Sequence, residues 1–370
     1  MKKIAIVHDY IKEYGGAEKV LLTLHQAFPD ATIFTLIYAP QFLGPHKNDF
    51  KKLTIIPSFL NKIPYSYKFI SIYRLIAPFV FKTFDFSNFD IILTSATGAY
   101  SPNILDKKKA KLISYYHTPP RYLYGFATAR KQSNNLIIKF LVLLMLHVLR
   151  MVDFKSSQNV DLAIANSENT ALRIKKFYRK NAMVIYPPVD IPLNLKNPKI
   201  NEKNQYYLAG GRLARPKHID LIVKTCLRLN LPLKVFGRSF AGYENEFNIS
   251  NSMGKNIQIL GEITDEEKFN LMANAKAFMF AAVDEDFGIT PVEAMATGTP
   301  VIAYKSGGVL ETIVDKKTGI FFNNLTEEDL AKAIKEFEEI KFDKKQLIKQ
   351  AEKFNKENFI KNIKKIVLNQ

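Results

Sequence analysis

Short runs of β-branched and aromatic residues alternate with amphipathic helical segments along nearly the whole chain. That alternation limits the fold more than any other feature, because it calls for parallel strands joined by helical crossovers. The first run, "KIAIV", leads into "GGAEKVLLTLHQAF", where Val20, Leu21, Leu24 and Phe28 form one apolar stripe at helical spacing. Strand-type runs follow in "ATIFTL", "DIILTS", "KLISYY" and "DLAIANS". The stretch "MVIYPPVDIPLNLKNPKINEKNQ" then ends a strand and becomes a proline- and asparagine-rich linker. The pattern restarts with "YYLAGGRL", the helix "HIDLIVKTCLRL", "LKVFG", "IQILG", the helix "DEEKFNLMANA", "AFMFAAV" and "TGIFF". This predicts an α/β chain of two doubly wound, Rossmann-like domains with a crevice between them. Their expected limits are residues 1–187 and 206–343, with a linker at 188–205 and a lysine-rich helical segment at 344–370 that has no strand partner.

A chain of 370 residues with 47% apolar content can bury two cores. Its single cysteine, Cys226, lies inside a helical pattern and can build neither a disulfide nor a thiolate metal site, which points to a reducing, cytoplasmic setting. The N-terminal apolar run is too short for a signal peptide. The longest apolar stretch, Leu136 to Val152, is broken by Lys139, His147 and Arg150, falls short of the ~20 residues of a membrane span, and is expected to be a buried helix rather than one lying on a membrane surface. Charge is uneven: residues 1–187 carry 26 Lys and Arg against 11 Asp and Glu, a net of +15 out of +18 for the chain. The first half is therefore suited to an anionic surface, either lipid phosphates or nucleic acid. No ribonucleoprotein-type aromatic motif or paired Cys/His spacing accompanies the charge, so nucleic acid is not the expected partner.

The chemistry concentrates in "EDFGITPVEAMATGTPVIAY", where Glu285 and Glu293 bracket the start of a helix. Thr290 as N-cap, Pro291 in the first turn and Glu293 three residues on fit a capping box, which needs only one glutamate. The second, in the preceding loop, fits a different role. Backbone N–H groups at a helix start bind anions, and paired carboxylates accept from sugar diols. Gly288 permits close backbone approach, and "SGG" at Ser306 to Gly308 supplies another glycine-rich turn. Arg212 and Lys217 in "GGRLARPKH" follow the opening strand of the second half, where two cations can neutralise a diphosphate without a metal.

These residues resemble the retaining family 4 glycosyltransferases of GT-B fold. The likeness rests on the E-x7-E motif of Glu285 and Glu293, on "GGRLARPKHIDLI" and on "SGGVLETI…TGIFF". In the first half, "HDY…YGGAEKV", "YYHTPPRYLY", "DLAIANS" and "VIYPPVD" are similar to the branch containing bacterial O-antigen and capsule mannosyltransferases. The resemblance implies that Glu293 holds the nucleotide ribose and Glu285 the transferred sugar. It gives Phe287, Gly288, Ile289 and Thr290 backbone contacts to sugar and phosphate, and Arg212 and Lys217 the diphosphate, with no metal or other cofactor. Gly15 and Gly16 would line the phosphates from the first domain, His117 would reach the donor sugar, and the terminal helix would cross back onto the first domain. The chain has no tryptophan where that branch often carries one near "HTPPRY".

The expected activity is hexosyl transfer with retention, mannose from GDP-mannose first, onto a lipid-linked glycan of a cell-surface polysaccharide. The expected location is peripheral, at the cytoplasmic face of the membrane. Alternatives that remain open are transfer of a hexose or N-acetylhexosamine from a UDP-sugar, a nucleotide-sugar epimerase, and a non-catalytic basic protein that binds membranes or nucleic acid.

Overall fold

The computed structural model describes residues 2–128, 135–191, 206–240, 242–243 and 255–370. The expected linker lies outside the described residues from position 192 to 205. The chain divides into two units. The first comprises Met1–Phe126, Ser133–Pro188 and Lys356–Gln370, and the second Val189–Asn355 with Ala127–Gln132.

In the first unit, seven parallel strands run in the order β3-β2-β1-β4-β5-β6-β7. They are β1 (Ile4–His8), β2 (Thr32–Thr35), β3 (Ile55–Pro57), β4 (Ile91–Ala96), β5 (Lys111–Tyr116), β6 (Leu162–Ala165) and β7 (Met183–Val184). All five residues of β1 and all six of β4 are buried, as expected of central strands covered by helices on both faces. The Gly16–Ala27 helix buries Val20, Leu21 and Leu24 against this sheet.

The second unit has six parallel strands in the order β10-β9-β8-β11-β12-β13. They are β8 (Tyr207–Gly210), β9 (Leu233–Phe236), β10 (Ile257–Gly261), β11 (Phe278–Phe280), β12 (Val301–Tyr304) and β13 (Gly319–Phe322). Cys226 is buried in this core, and burial pushes its thiol up to about 12. Both sheets are doubly wound, so each has a switch point where the strand order reverses: β1/β4 in the first and β8/β11 in the second. Ligands of such sheets bind outside the carboxyl ends of the strands at that point.

Two expectations are corrected. The segment 344–370 is two helices, not one. Lys344–Glu352 stays in the second unit and packs on the Ile289–Ala296 helix, while Lys356–Leu368 belongs to the first, burying Phe359, Ile363 and Val367. The break falls at Phe354, which is buried with its ring 5.3 Å from that of Phe287 and whose carbonyl accepts from Val189 N–H at 2.9 Å. The apolar stretch at 136–152 does form a helix, Leu136–Gln158, but its first half is not buried. Only its C-terminal turns dock, through Leu149, Asp153, Ser156 and Ser157. Asp153 accepts from Ser101, Tyr124 and Tyr178 hydroxyls at 2.8, 2.9 and 2.8 Å. Leu136 and Ile137 are 79% and 72% exposed.

Candidate active site

The residues singled out in the second half meet at its switch point. β8 ends at Gly210, and the loop beyond it carries Arg212 and then Lys217 in the short Arg215–Lys217 turn. β11 ends at Phe280, and the loop beyond it carries Glu285. The two loops are tied by Val283 N–H donating to Pro216 carbonyl at 2.8 Å. That bond brings Lys217 Nζ within 2.7 Å of Glu285 Oε2 and 4.8 Å from the centre of the Phe280 ring. Arg212 is exposed, with its guanidinium 5.1 Å from the Phe240 ring centre. Arg212 and the Lys217–Glu285 pair thus lie beyond the carboxyl ends of two central strands, where doubly wound sheets bind ligands.

The helix beside them begins earlier than the sequence pattern predicts. Its N-cap is Gly288 at φ 93°, a left-handed conformation that disfavours side chains, and Ile289 is its first residue. Thr290 therefore lies inside the first turn and does not cap, and Glu293 lies beyond capping reach. The capping box of this region is instead Thr264 with Glu267, at the start of the Asp265–Asn274 helix. Glu293, buried, accepts at Oε1 from Lys268 Nζ of that helix at 3.1 Å, and the same ammonium reaches Asp265 at 2.8 Å. Lys268 carries no motif and was not legible in the sequence. Phe287 is buried, while Ile289 and Thr290 keep partial exposure at the helix start, where N–H groups have no intrahelical acceptor.

The "SGG" turn after β12 buttresses the Glu285 loop. Gly308 N–H donates to Glu285 carbonyl at 2.8 Å, and a Cβ on Gly307 would stand 2.2 Å from that same oxygen.

In the first unit, Gly15 caps the Gly16–Ala27 helix and Gly16 opens it, which places both at a helix N-terminus following β1. His117 follows β5. Its Nε2 is 2.9 Å from Ser95 Oγ at the end of β4, and Ser95 Oγ is 3.0 Å from Nδ1 of His8 at the end of β1. His8 Nε2 lies 3.7 Å from Glu18 Oε1 in the helix's first turn. Burial, reinforced by neighbouring His8, pushes the His117 imidazole down to about 3, so it is neutral at physiological pH. Next to it, Asp9 is fully buried, with one oxygen accepting from Thr97 hydroxyl at 2.6 Å and from the N–H groups of Thr97, Ala99 and Tyr100. Burial nonetheless raises its pKa above the ordinary aspartate value. His8, Asp9 and Ser95 were missed because a polar residue at the end of a buried strand leaves no local pattern, and Glu18 because an acid in a helix's first turn is ordinary.

Two parallel, doubly wound sheets in one chain are the architecture of the GT-B glycosyltransferase fold, and Arg212, Lys217 and Glu285 stand on loops at the switch point of the second. Family models agree: one described as Glycosyltransferase Family 4 matches residues 14–192, and one described as Glycosyl transferases group 1 matches residues 190–354. The two models together span residues 14–354, and the chain belongs to glycosyltransferase family 4. Among curated relatives, the alpha-1,3/1,6-mannosyltransferase ALG2 of Mus musculus is 25% identical over 262 residues, 62% of this chain and 60% of that protein. Its counterpart in Rhizomucor pusillus is 25% identical over 282 residues, 63% of this chain and 60% of that protein. The chain thus spans about 60% of the length of these two curated relatives. Among solved structures, the sucrose-phosphate synthase of Thermosynechococcus elongatus superposes with a TM-score of 0.72 at 17% identity, covering 100% of this chain and 99% of that one. Anabaena HepE in complex with UDP and glucose superposes with a TM-score of 0.69 at 16% identity, covering 100% of both chains.

Proposed function

We propose that this chain transfers a hexose, mannose from GDP-mannose, with retention of anomeric configuration, to a lipid-linked glycan at an anionic membrane surface on the cytoplasmic side. The observation that carries the reading is the Lys217–Glu285 pair beside Arg212 at the β8/β11 switch point. The mannosyl part rests on the curated relatives, whose names are those of mannosyltransferases.

Glu293 takes the ribose hydroxyls and Glu285 the sugar, while Lys217, Arg212 and the helix start at Gly288–Thr290 take the diphosphate. The ammonium of Lys217 has three protons, and Glu285 occupies one, so it can hold the Glu285 carboxylate and a phosphate oxygen together. As the bond from the anomeric carbon to the phosphate oxygen breaks, charge grows on that oxygen and both cations stabilise it, which removes the need for a metal. The acceptor hydroxyl attacks from the same face, and its proton passes to the departing phosphate.

Thermal shift and slow donor hydrolysis in the presence of a chelator, over a panel of GDP- and UDP-sugars, test this. GDP-mannose at 100 times its dissociation constant should stabilise the fold by about 2.7 kcal/mol. Glu293→Gln, which keeps the volume beside Lys268, should lose that shift. A UDP-sugar that stabilises in its place would replace the donor, and no shift from any donor at millimolar concentration would end the reading.

The membrane part rests on the Leu136–Gln158 helix. Phe140, Leu141, Leu143 and Leu144 are all more than half exposed, and exposed Lys139 lies among them. The helix packs on the Pro102–Ile104 turn, as does the Ala77–Phe81 helix, whose Phe79 is 71% exposed. No helix among the described residues is long and apolar enough to cross a membrane. Apolar side chains of this extent, within residues 1–187 whose net charge is +15, suit the headgroup boundary of an anionic bilayer. Co-sedimentation should show binding to phosphatidylglycerol vesicles, weakened by salt. The Leu141→Glu, Leu144→Glu double variant should bind at least about tenfold less while hydrolysing donor at the wild-type rate. Unchanged vesicle binding, or a double variant that instead dissolves a dimer, would assign the patch elsewhere.

A further inference from the structure

The hydroxyl of Ser95 stands between two imidazole nitrogens, His8 Nδ1 at 3.0 Å and His117 Nε2 at 2.9 Å. It has one proton to give, so when neither imidazole carries a second proton there are two directions in which that proton enters a bond. In one, Ser95 donates to His8 Nδ1 and accepts from His117 Nε2–H. His8 then carries its proton on Nε2, facing the Glu18 carboxylate 3.7 Å away, and His117 is left with a bare Nδ1. In the other, every bond reverses. His8 then turns a lone pair toward the carboxylate, in a site where His8 is fully buried and Glu18 nearly so, and His117 presents Nδ1–H. A lone pair facing an anion away from water is the worse arrangement.

We infer that Glu18, His8 and Ser95 are positioning residues that fix His117 as its Nε2–H tautomer, so that its Nδ1 is a hydrogen-bond acceptor for a sugar hydroxyl. His8 Nε2 makes no hydrogen bond of ordinary length among the described residues, so its proton location is set by the charge of Glu18 rather than by a direct bond. His117 Nδ1 makes none either among the described residues, which leaves it available. The backbone holds the relay in register. β1 and β4 pair His8 with Ser95, and His117 N–H donates to Ala96 carbonyl at 2.9 Å. The role of the acceptor nitrogen rests on the placement of His117 at the sugar that the family resemblance implies; the tautomer itself does not.

Nitrogen NMR of the full chain labelled at histidine separates the two directions, because protonated and bare ring nitrogens have distinct shifts. The His117 signals are assigned by their loss in His117→Gln. The wild-type protein without donor should show His117 protonated at Nε2 and bare at Nδ1, by about 10:1 or more, since a carboxylate strongly biases the ring nitrogen opposite it. Glu18→Gln, whose amide can face either a lone pair or an N–H, should yield a mixture of both tautomers. Ser95→Ala should break the link, so that adding Glu18→Gln has no further effect on His117. A wild-type His117 protonated at Nδ1, or a ratio unmoved by Glu18→Gln in a folded variant, overturns the inference. With His117 assigned, the wild-type spectrum decides the direction even if the Glu18 and Ser95 variants fail to fold. It needs no nucleotide sugar, so it stands or falls separately from the transferase reading.

Discussion

Lys217→Ala is expected to lower sugar transfer by about 10²- to 10³-fold in kcat, the cost of removing one preorganised donor aimed at developing charge. The residue has two electrostatic tasks on one ammonium. It holds Glu285 at 2.7 Å, and in the proposed site its remaining protons are for the diphosphate. Alanine removes both, leaving a carboxylate that repels the phosphate. Lys217→Arg should recover part of the rate, because charge returns with a different geometry. The thermal midpoint should fall only slightly, since the pair, 27% and 18% exposed, still reaches solvent and a freed Glu285 can be hydrated. Steady-state kinetics on wild type and both variants, with melting curves alongside, make the comparison. A rate within threefold of wild type in Lys217→Ala would remove Lys217 from the phosphate site and return the pair to a purely structural role.

Much of this arrangement was legible in the sequence, for reasons that differ by element. Strands buried on both faces read as continuous apolar runs, so β1, β4, β5 and β11 were evident from "KIAIV", "DIILTS", "KLISYY" and "AFMFAAV". Arg212, Lys217 and Glu285 were legible because each follows such a run closely, and the ends of central strands are where doubly wound sheets bind ligands. The cap of the Ile289–Ala296 helix was misread because Thr290 and Glu293 satisfy the spacing of a capping box, whereas tertiary packing starts the helix at Gly288. The Leu136–Gln158 helix was misread because apolar composition says what a segment can be buried against, not whether anything covers it. Lys268 and the His8–Ser95–His117 relay were invisible for a simpler reason. Their partners lie 22 to 87 residues away, and only the register of parallel strands or the packing of two helices brings them together.

Gly307→Ala should be as damaging to transfer as Lys217→Ala, and for a reason set by backbone alone. Gly307 holds φ at 70°, and a Cβ there would lie 2.2 Å from Glu285 carbonyl oxygen and 3.0 Å from its nitrogen. Neither neighbour is the tip of a flexible side chain, so relief has to come from moving the Glu285 loop. That movement would also strain the bond from Gly308 N–H to Glu285 and carry the carboxylate away from Lys217. Displacements of about 1 Å at a reacting centre can cost about 10²-fold in rate, and that is the loss expected in kcat. The backbone strain itself should cost about 1–3 kcal/mol of stability. Gly261→Ala separates the two effects. It has φ at 71° in the same unit with nothing within 4 Å of its added Cβ, so it bears the strain without the collision. It should therefore melt lower than wild type yet transfer sugar at nearly the wild-type rate. If Gly307→Ala behaves like Gly261→Ala, losing stability but keeping its rate, then the loop tolerates the shift and the position of Glu285 is not what limits transfer.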